Sequence, residues 1–244
     1  MLLYGYGYGY PMYYYGFDKT YILVLIAAIF SMWASMRVNS TYQKYAKVMS
    51  RQGICASEAA QRILYYAGLT NIRVEHIRGN LTDHYDPRTK TLRLSDSTYG
   101  SCSVAAIGVA AHECGHAIQD AEGYMPLQFR TALVPVANIG SKFGVPIIIL
   151  GLILGSNSLL IQIGIWAFSL AVLFQLITLP VEYNASNRAL DILETRGILG
   201  QEELAMSQKV LSAAALTYVA AAASSILQLL RLILLFGRRD DDRR

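Results

Sequence analysis

The apolar residues of this chain fall into long runs separated by polar stretches. The first run, residues 20–36, lies between Asp18-Lys19 and Arg37. The second covers residues 143–179, which as one helix would be about 55 Å long, whereas a bilayer core needs only about 30 Å. The turn-forming sequence GSNS occupies residues 155–158 in its middle. We therefore predict a transmembrane helix at 20–36 and a helical hairpin of transmembrane helices at 132–154 and 159–179.

A further apolar run, residues 212–237, predicts a fourth transmembrane helix. It contains Gln228 and Arg231, and the charged tail at 238–244 would carry four arginines across the bilayer. The sequence leaves open whether this run crosses the membrane or lies buried beside the other spans. Pro180 is predicted to end the third span, so that residues 181–211 form a polar-faced helix and a connection.

The polar stretches predict one folded portion beside the membrane. Residues 1–19 form a Tyr/Gly-rich tail, and residues 20–36 lack the features of a cleavable signal peptide, so this run is predicted to be a retained anchor. Residues 37–131 contain a predicted helix at 57–67, a strand at 72–75 and a hairpin of strands 81–85 and 91–95. A helix at 103–119 follows. The predicted fold is therefore mainly α, with integral membrane helices and a small α+β portion.

Composition supports the lipid bilayer as a partner and argues against nucleic acid. The chain is 54% hydrophobic and 16% charged, and its net charge of +4 forms no basic stripe interleaved with aromatic residues. The odd number of cysteines, without paired spacing, argues against a disulfide framework and for a reducing compartment. Positive residues flank one side of the predicted spans: Arg37, Lys44, Lys47, Arg51, Arg130, Lys142, Arg188 and Arg196. They predict a multi-pass cell-membrane protein whose folded portion is cytoplasmic.

The sequence HECGH, residues 112–116, is the clearest chemical signal. On a helix, His112 and His116 project from one face about a turn apart, as two ligands of a tetrahedral zinc site do. Glu113 lies next to them and can take a proton from a metal-activated water. Cys114 points away from this face and is predicted to pack in the core. The alternative is a helix whose histidines are only hydrogen-bonded in a polar patch.

A catalytic zinc usually has three protein ligands and an open position. His76 and His84 lie upstream near predicted strands and form no familiar pattern with the other two histidines. A glutamate from a second helix is the usual completion, and Glu182 begins the first polar helix after the hairpin. Two spans between His116 and Glu182 return the chain to the same side of the membrane, as a shared site requires.

The sequence resembles the bacterial membrane-bound neutral zinc metallopeptidases of the YugP type, and more distantly HtpX and the CAAX prenyl proteases. The resemblance rests on residues 81–119, 133–141 and 182–190. It implies a zincin-like metallopeptidase portion with one zinc ion per chain. By resemblance, His112, His116 and Glu182 are the ligands and Glu113 is the catalytic base.

The resemblance leaves open which residues contact the ligands. The distant relatives often carry an aspartate four residues after the third ligand, where this chain has Ser186. Asp120 and Asn187 are therefore the candidates to orient a ligand histidine. Arg188 could hold a substrate oxyanion or form an ordinary ion pair. By analogy with zincin peptidases, the strand formed by Thr91, Leu92, Arg93, Leu94 and Ser95 is either a substrate-binding edge strand or a purely structural strand.

These features predict a membrane zinc endopeptidase that cuts peptides or membrane-protein segments. The substrate class, and a place in membrane-protein quality control, follow from family analogy alone. One rival is a non-catalytic membrane scaffold, or a subunit of a larger membrane complex, with structural zinc. It would need a fourth ligand that the sequence does not offer near the motif. Another is a metal-ion transporter, which would need ionisable residues in its spans, whereas the hairpin offers only Gln162 and Gln175.

Overall fold

A computed structural model describes residues 18–236, so the predicted tails at 1–19 and 238–244 lie almost wholly outside the described residues. The helices and strands of the described part, in chain order, are α1 (Tyr21–Tyr45), α2 (Ala56–Tyr66), β1 (Arg73–Ile77), β2 (His84–Asp86), β3 (Thr91–Ser95), α3 (Val104–Ala121), α4 (Met125–Ile153), α5 (Ser158–Thr195) and α6 (Gln201–Phe236). The prediction of a mostly helical fold with a small sheet is confirmed.

Four helices of the described part, α1, α4, α5 and α6, are long and apolar enough to cross a membrane. Helix α6 packs along α1: the hydroxyl oxygens of Ser31 and Ser224 lie 3.0 Å apart, and Arg231 pairs with Asp18 at 3.4 Å. The C-terminal end of α6 thus lies beside the N-terminal end of α1. The two helices therefore pair along their apolar lengths.

The hairpin of α4 and α5 is held by small residues. A Cβ atom added at Gly140 would collide with the carbonyl oxygen of Ala167, and one at Gly164 would lie 2.6 Å from the carbonyl oxygen of Gly144. Close backbone approach of this kind is typical of helix pairs in membranes. The turn falls at the predicted place, where Asn157 caps α5 by accepting a hydrogen bond of 3.2 Å from the Leu160 N–H.

The predicted helix boundary at Pro180 is wrong, because α5 continues through it to Thr195. Proline removes one backbone donor and crowds the preceding turn, but helices in membrane proteins tolerate this where neighbouring groups compensate. The third span and the residues after it therefore form one continuous helix. Likewise α6 is continuous from Gln201, and α4 begins at Met125 rather than at residue 132.

The sheet has the strand order β1-β3-β2, with β1 parallel and β2 antiparallel to β3. The predicted hairpin of β2 and β3 is confirmed. However, the interpretation of residues 91–95 as an edge strand is wrong, since β3 is the central strand and Leu92 and Leu94 are fully buried in the core with α2 and α3. The edge strand on this side of the sheet is β2, which contacts α3.

The structure also corrects the prediction about cysteines. Cys55 and Cys102 form a disulfide, although 47 residues separate them in the chain. Their segments meet because the Ala56 N–H donates to the Ser101 carbonyl at 2.9 Å, a long-range contact that no local spacing reveals. Cys114 is a buried free thiol in the core, as predicted.

Candidate metal centre

Helix α3 places its histidines against α5. Its N-terminus is capped by Ser103, whose hydroxyl accepts a hydrogen bond of 3.2 Å from the Ala106 N–H. Three turns later, a Cβ atom at Gly115 would collide with the carbonyl group of Ala185, with its carbon only 3.0 Å away. The two helix backbones can approach this closely only because residue 115 is glycine. This contact brings Glu182, one turn before Ala185, to the histidine face of α3.

The side chains of His112, His116 and Glu182 converge on one point. Their ligand atoms all lie within 4.8 Å of one another. The Glu182 Oε2 atom is 3.2 Å from His112 Nε2 and 3.5 Å from His116 Nε2. Zinc bonds of about 2.0–2.1 Å in a tetrahedron require ligand atoms about 3.3 Å apart. These donor atoms therefore fit zinc in both type and spacing, with room for a fourth, non-protein ligand.

Gln119 fixes which nitrogen His116 offers to a metal. The fully buried Gln119 amide donates 2.9 Å hydrogen bonds to the Val181 carbonyl and the Asn184 side-chain oxygen. Asn184 Oδ1 is itself fixed as an acceptor by the Arg188 N–H at 2.7 Å. Gln119 must therefore turn its oxygen toward His116 Nδ1, 3.0 Å away, and that nitrogen carries the proton. The lone pair of His116 is left on Nε2, the atom that faces Glu182.

His112 is oriented by Ser186, whose hydroxyl oxygen lies 3.0 Å from His112 Nδ1. Ser186 lies four residues after Glu182, at the position where the distant relatives often carry an aspartate. The serine therefore makes the contact with the histidine that an aspartate could make there. A hydroxyl can donate or accept, and it therefore leaves the tautomer of His112 to the metal.

Glu113 is buried next to the histidines and faces the same space. Its Oε2 accepts a hydrogen bond of 3.1 Å from the Tyr85 N–H of β2. Burial raises the pKa of the Glu113 carboxyl group above its ordinary value, against the opposing effect of the two histidines. A carboxylate whose pKa moves toward neutrality is better matched to accepting and returning a proton.

Two residues at the site, Arg130 and Tyr218, were missed by sequence reasoning. Arg130 Nη1 lies 3.3 Å from Glu182 Oε1, an oxygen that otherwise has no hydrogen-bond partner among the described residues. The Tyr218 hydroxyl lies beside the same carboxylate. In the sequence, Arg130 is only one of the basic residues that predict the topology. A polar tyrosine inside an otherwise apolar run was the available sign of Tyr218.

Two cavities meet at these residues. One, of about 200 Å³, opens between α1, α3 and α6, and the other, of about 300 Å³, lies between β2 and the start of α4. Glu113, Glu182 and Tyr218 line both. The convergent side chains therefore face both cavities.

Comparison with known proteins identifies the family. Residues 20–237 match the family described as "Putative neutral zinc metallopeptidase". The chain belongs to this metallopeptidase family. It is also similar to the "Putative membrane protease YugP" of Bacillus subtilis (strain 168), with 48% identity over 201 residues that cover 82% of this chain and 89% of that protein. No solved structure gave a significant match. The predicted family resemblance is confirmed, and the chain is a membrane protein of a zinc peptidase family.

In this member of the family, the residues predicted to orient the ligand histidines lie elsewhere. Asp120 accepts hydrogen bonds of 2.7 Å from the Tyr85 hydroxyl and the Lys90 ammonium group, and neither involves a histidine. Asn187 is exposed, because it follows Ser186 and so points away from α3. Arg188 pairs with Glu122 at 2.6 Å, which is the ordinary ion pair of the two interpretations.

Proposed function

We propose that this chain is a membrane-embedded zinc endopeptidase that hydrolyses peptide bonds with Glu113 as general base. The observation that carries the proposal is the convergence of His112 Nε2, His116 Nε2 and Glu182 Oε2 within 4.8 Å, directly beside the buried Glu113. Three protein ligands and an open position characterise catalytic rather than structural zinc sites. When bound, one zinc ion per chain would polarise a carbonyl group and acidify a water molecule.

Glu113 would handle the protons of the reaction. Its carboxylate takes a proton from the attacking water and returns it to the leaving amine. The Tyr85 N–H holds one carboxylate oxygen at 3.1 Å, which leaves the other oxygen to meet the water. Because Glu113 lies on α3 between the two histidines, the base and the ligands are positioned by the same rigid helix.

Tyr218 and Arg130 would stabilise the negative charge that develops on the substrate carbonyl oxygen. Both side chains carry donors beside Glu182, and both line the cavity next to β2. Donors fixed in place before the reaction stabilise such charge more than mobile water does.

The substrate would bind along the edge strand β2. The Tyr85 N–H points away from β3, toward Glu113, so the Tyr85 carbonyl faces the cleft as well. An extended peptide can pair with such an edge, and the opposite wall of the cleft is formed by Leu127, Arg130 and Val134 of α4. We propose peptides or membrane-proximal segments of membrane proteins as substrates, in membrane-protein quality control.

We propose a multi-pass protein of the cell membrane with the metal centre in the cytoplasm, because the basic residues cluster on that side of the spans. The Cys55–Cys102 disulfide favours the opposite orientation, since disulfides persist mainly outside the cytoplasm. A membrane-impermeant thiol reagent applied to intact cells distinguishes the two. A cysteine introduced at Ser156 should be labelled, and one introduced at Lys90 should be protected. The reverse pattern would show the opposite topology.

The peptidase proposal is tested with Glu113→Gln. The amide keeps the size of the side chain and can still accept from Tyr85, but it cannot take a proton. We expect the variant to keep its full zinc content and to lose casein hydrolysis by several orders of magnitude. Wild type treated with a chelator should lose hydrolysis as well. Normal hydrolysis by the purified variant would refute the role of Glu113. Zinc-loaded wild type without any hydrolysis would instead favour a non-catalytic scaffold.

A further inference from the structure

A separate cavity of about 450 Å³ lies between α1 and α6. It is distinct from the cavity at the metal centre, which is lined by Val38 and Tyr42 of α1, whereas this one is lined by the neighbouring positions Arg37, Thr41 and Lys44. We call it the basic groove. Its polar lining consists of Arg37, Thr41, Lys44, Gln208, Lys209 and Ser212.

The basic groove has the chemistry of an anion site. It contains the cations Arg37, Lys44 and Lys209, and no acidic residue is among the described residues that line it. Since three exposed positive charges line the cavity and no carboxylate of the described residues does, an anion between them is stabilising. The hydroxyl groups of Thr41 and Ser212 add neutral donors. Cationic and hydroxyl donors in one concave site match the several oxygen atoms of a phosphate group.

The basic groove lies at the boundary between membrane and water. Arg37 is the first residue after the apolar run of α1, and the apolar run of α6 begins at residue 212. Trp33 and Phe30 precede Arg37 by four and seven residues, so they continue the same face of α1 into the membrane. Their rings stack with centroids 5.8 Å apart, and Trp33 is 47% exposed. A polar anion site thus continues into an uncovered apolar face.

We propose that the basic groove binds the phosphate headgroup of an anionic phospholipid, whose acyl chains lie along Phe30 and Trp33. A free phosphate ion would engage the cations, but it would leave this apolar face unused. The binding site requires only that α1 and α6 are inserted in a bilayer, and it is independent of peptidase activity. Because α1 and α6 also wall the cavity at the metal centre, a bound lipid would hold that wall in place.

The test uses Trp33 as a reporter in full-length protein reconstituted into phosphatidylcholine–phosphatidylglycerol nanodiscs. The chain has 2 tryptophans, so the exposed Trp166 is first replaced by phenylalanine. Fluorescence quenching is compared between discs in which only the phosphatidylglycerol, or only the phosphatidylcholine, carries brominated acyl chains. We expect the brominated anionic lipid to quench Trp33 more strongly at equal mole fraction.

The variant Arg37→Gln/Lys44→Gln/Lys209→Gln should show a preference for the anionic lipid that is at least about fivefold weaker. A change of about fivefold is the effect expected for a single basic residue near an anionic surface. Glutamine is a good helix former, and circular dichroism verifies that the helices remain. Lys209→Gln alone should lose part of the preference. The matched control Lys19→Gln/Lys47→Gln/Lys142→Gln removes the same charge from exposed positions outside the groove and should keep it.

Four results would overturn the proposal. They are equal quenching by both lipids in the parent protein, an unchanged preference in the groove variant, an equal loss in the matched control, and release of the preference by inorganic phosphate at constant ionic strength. The last result would identify a site for free phosphate instead of lipid.

Discussion

Replacing Gln119 with methionine tests the hydrogen bonds that set the tautomer of His116. Methionine is similar in length and apolar, so it fills the space but neither accepts from His116 Nδ1 nor donates to Val181 and Asn184. The buried Nδ1–H then has no acceptor, and His116 can rotate or carry its proton on Nε2, which blocks the metal. The loss of an outer hydrogen-bond partner typically lowers metal affinity by about 10–100-fold.

The structure also gives the expected cost in stability. In wild type Gln119 makes buried hydrogen bonds of 3.0, 2.9 and 2.9 Å. A buried polar group left without a partner costs about 1–3 kcal/mol. Gln119→Glu separates the two effects, because its carboxylate still accepts from His116 but, when ionised, cannot donate to Val181 and Asn184. We expect the glutamate variant to bind zinc nearly normally and to unfold more easily.

The assay is zinc titration against a chromophoric chelator in detergent, together with thermal unfolding of the metal-free protein. Gln201→Met, at an exposed position at the start of α6, serves as the matched control and should change neither quantity. Unchanged zinc affinity in folded Gln119→Met would refute the argument that Gln119 selects the tautomer.

Three further substitutions test the site. Glu182→Ala should lower both zinc occupancy and activity, whereas Glu194→Ala, exposed three turns later on α5, should lower neither; loss of activity with full zinc would make Glu182 a substrate-binding or outer residue. Gly115→Ala should destabilise the protein by about 1–3 kcal/mol, because the added methyl group meets the backbone of Ala185. The control Gly100→Ala places its methyl group in open space, and equal melting temperatures of the two variants would contradict this packing. Tyr218→Phe should lower kcat about 100-fold with zinc retained, and Tyr65→Phe should not; an unchanged kcat would exclude Tyr218 from charge stabilisation.

Short-range patterns predicted much of this structure. The HECGH helix, the strand hairpin and the membrane turn at 155–158 each depend on residues a few positions apart, and each lies where the pattern indicated. Glu182 could be proposed because counting spans gave an independent topological constraint. The structure brings it to the histidines without any local spacing that ties it to them.

What could not be predicted depends on contacts between distant segments. The sequence left open whether β3 is a substrate-binding edge strand or a structural strand, because periodicity does not reveal that β1 pairs with its other side. Contacts between distant segments also produce the Cys55–Cys102 disulfide and the approach of Tyr218 to Glu182. Pro180 was misjudged for another reason: a rule derived from water-exposed helices was applied to a helix surrounded by protein and lipid.

Because α5 is continuous from Ser158 through Glu182, the tilt of this long apolar helix sets the position of a candidate metal ligand. Ser158, the first residue of α5, lies about 36 Å from Glu182 along the helix. Tilting it by about 3° at the membrane turn would displace the ligand end by about 2 Å, which is as large as a zinc–ligand bond. A bilayer that is too thin or too thick changes helix tilt. We therefore expect zinc affinity to depend on lipid chain length, and the close contact between Gly115 and Ala185 is where α3 resists that motion.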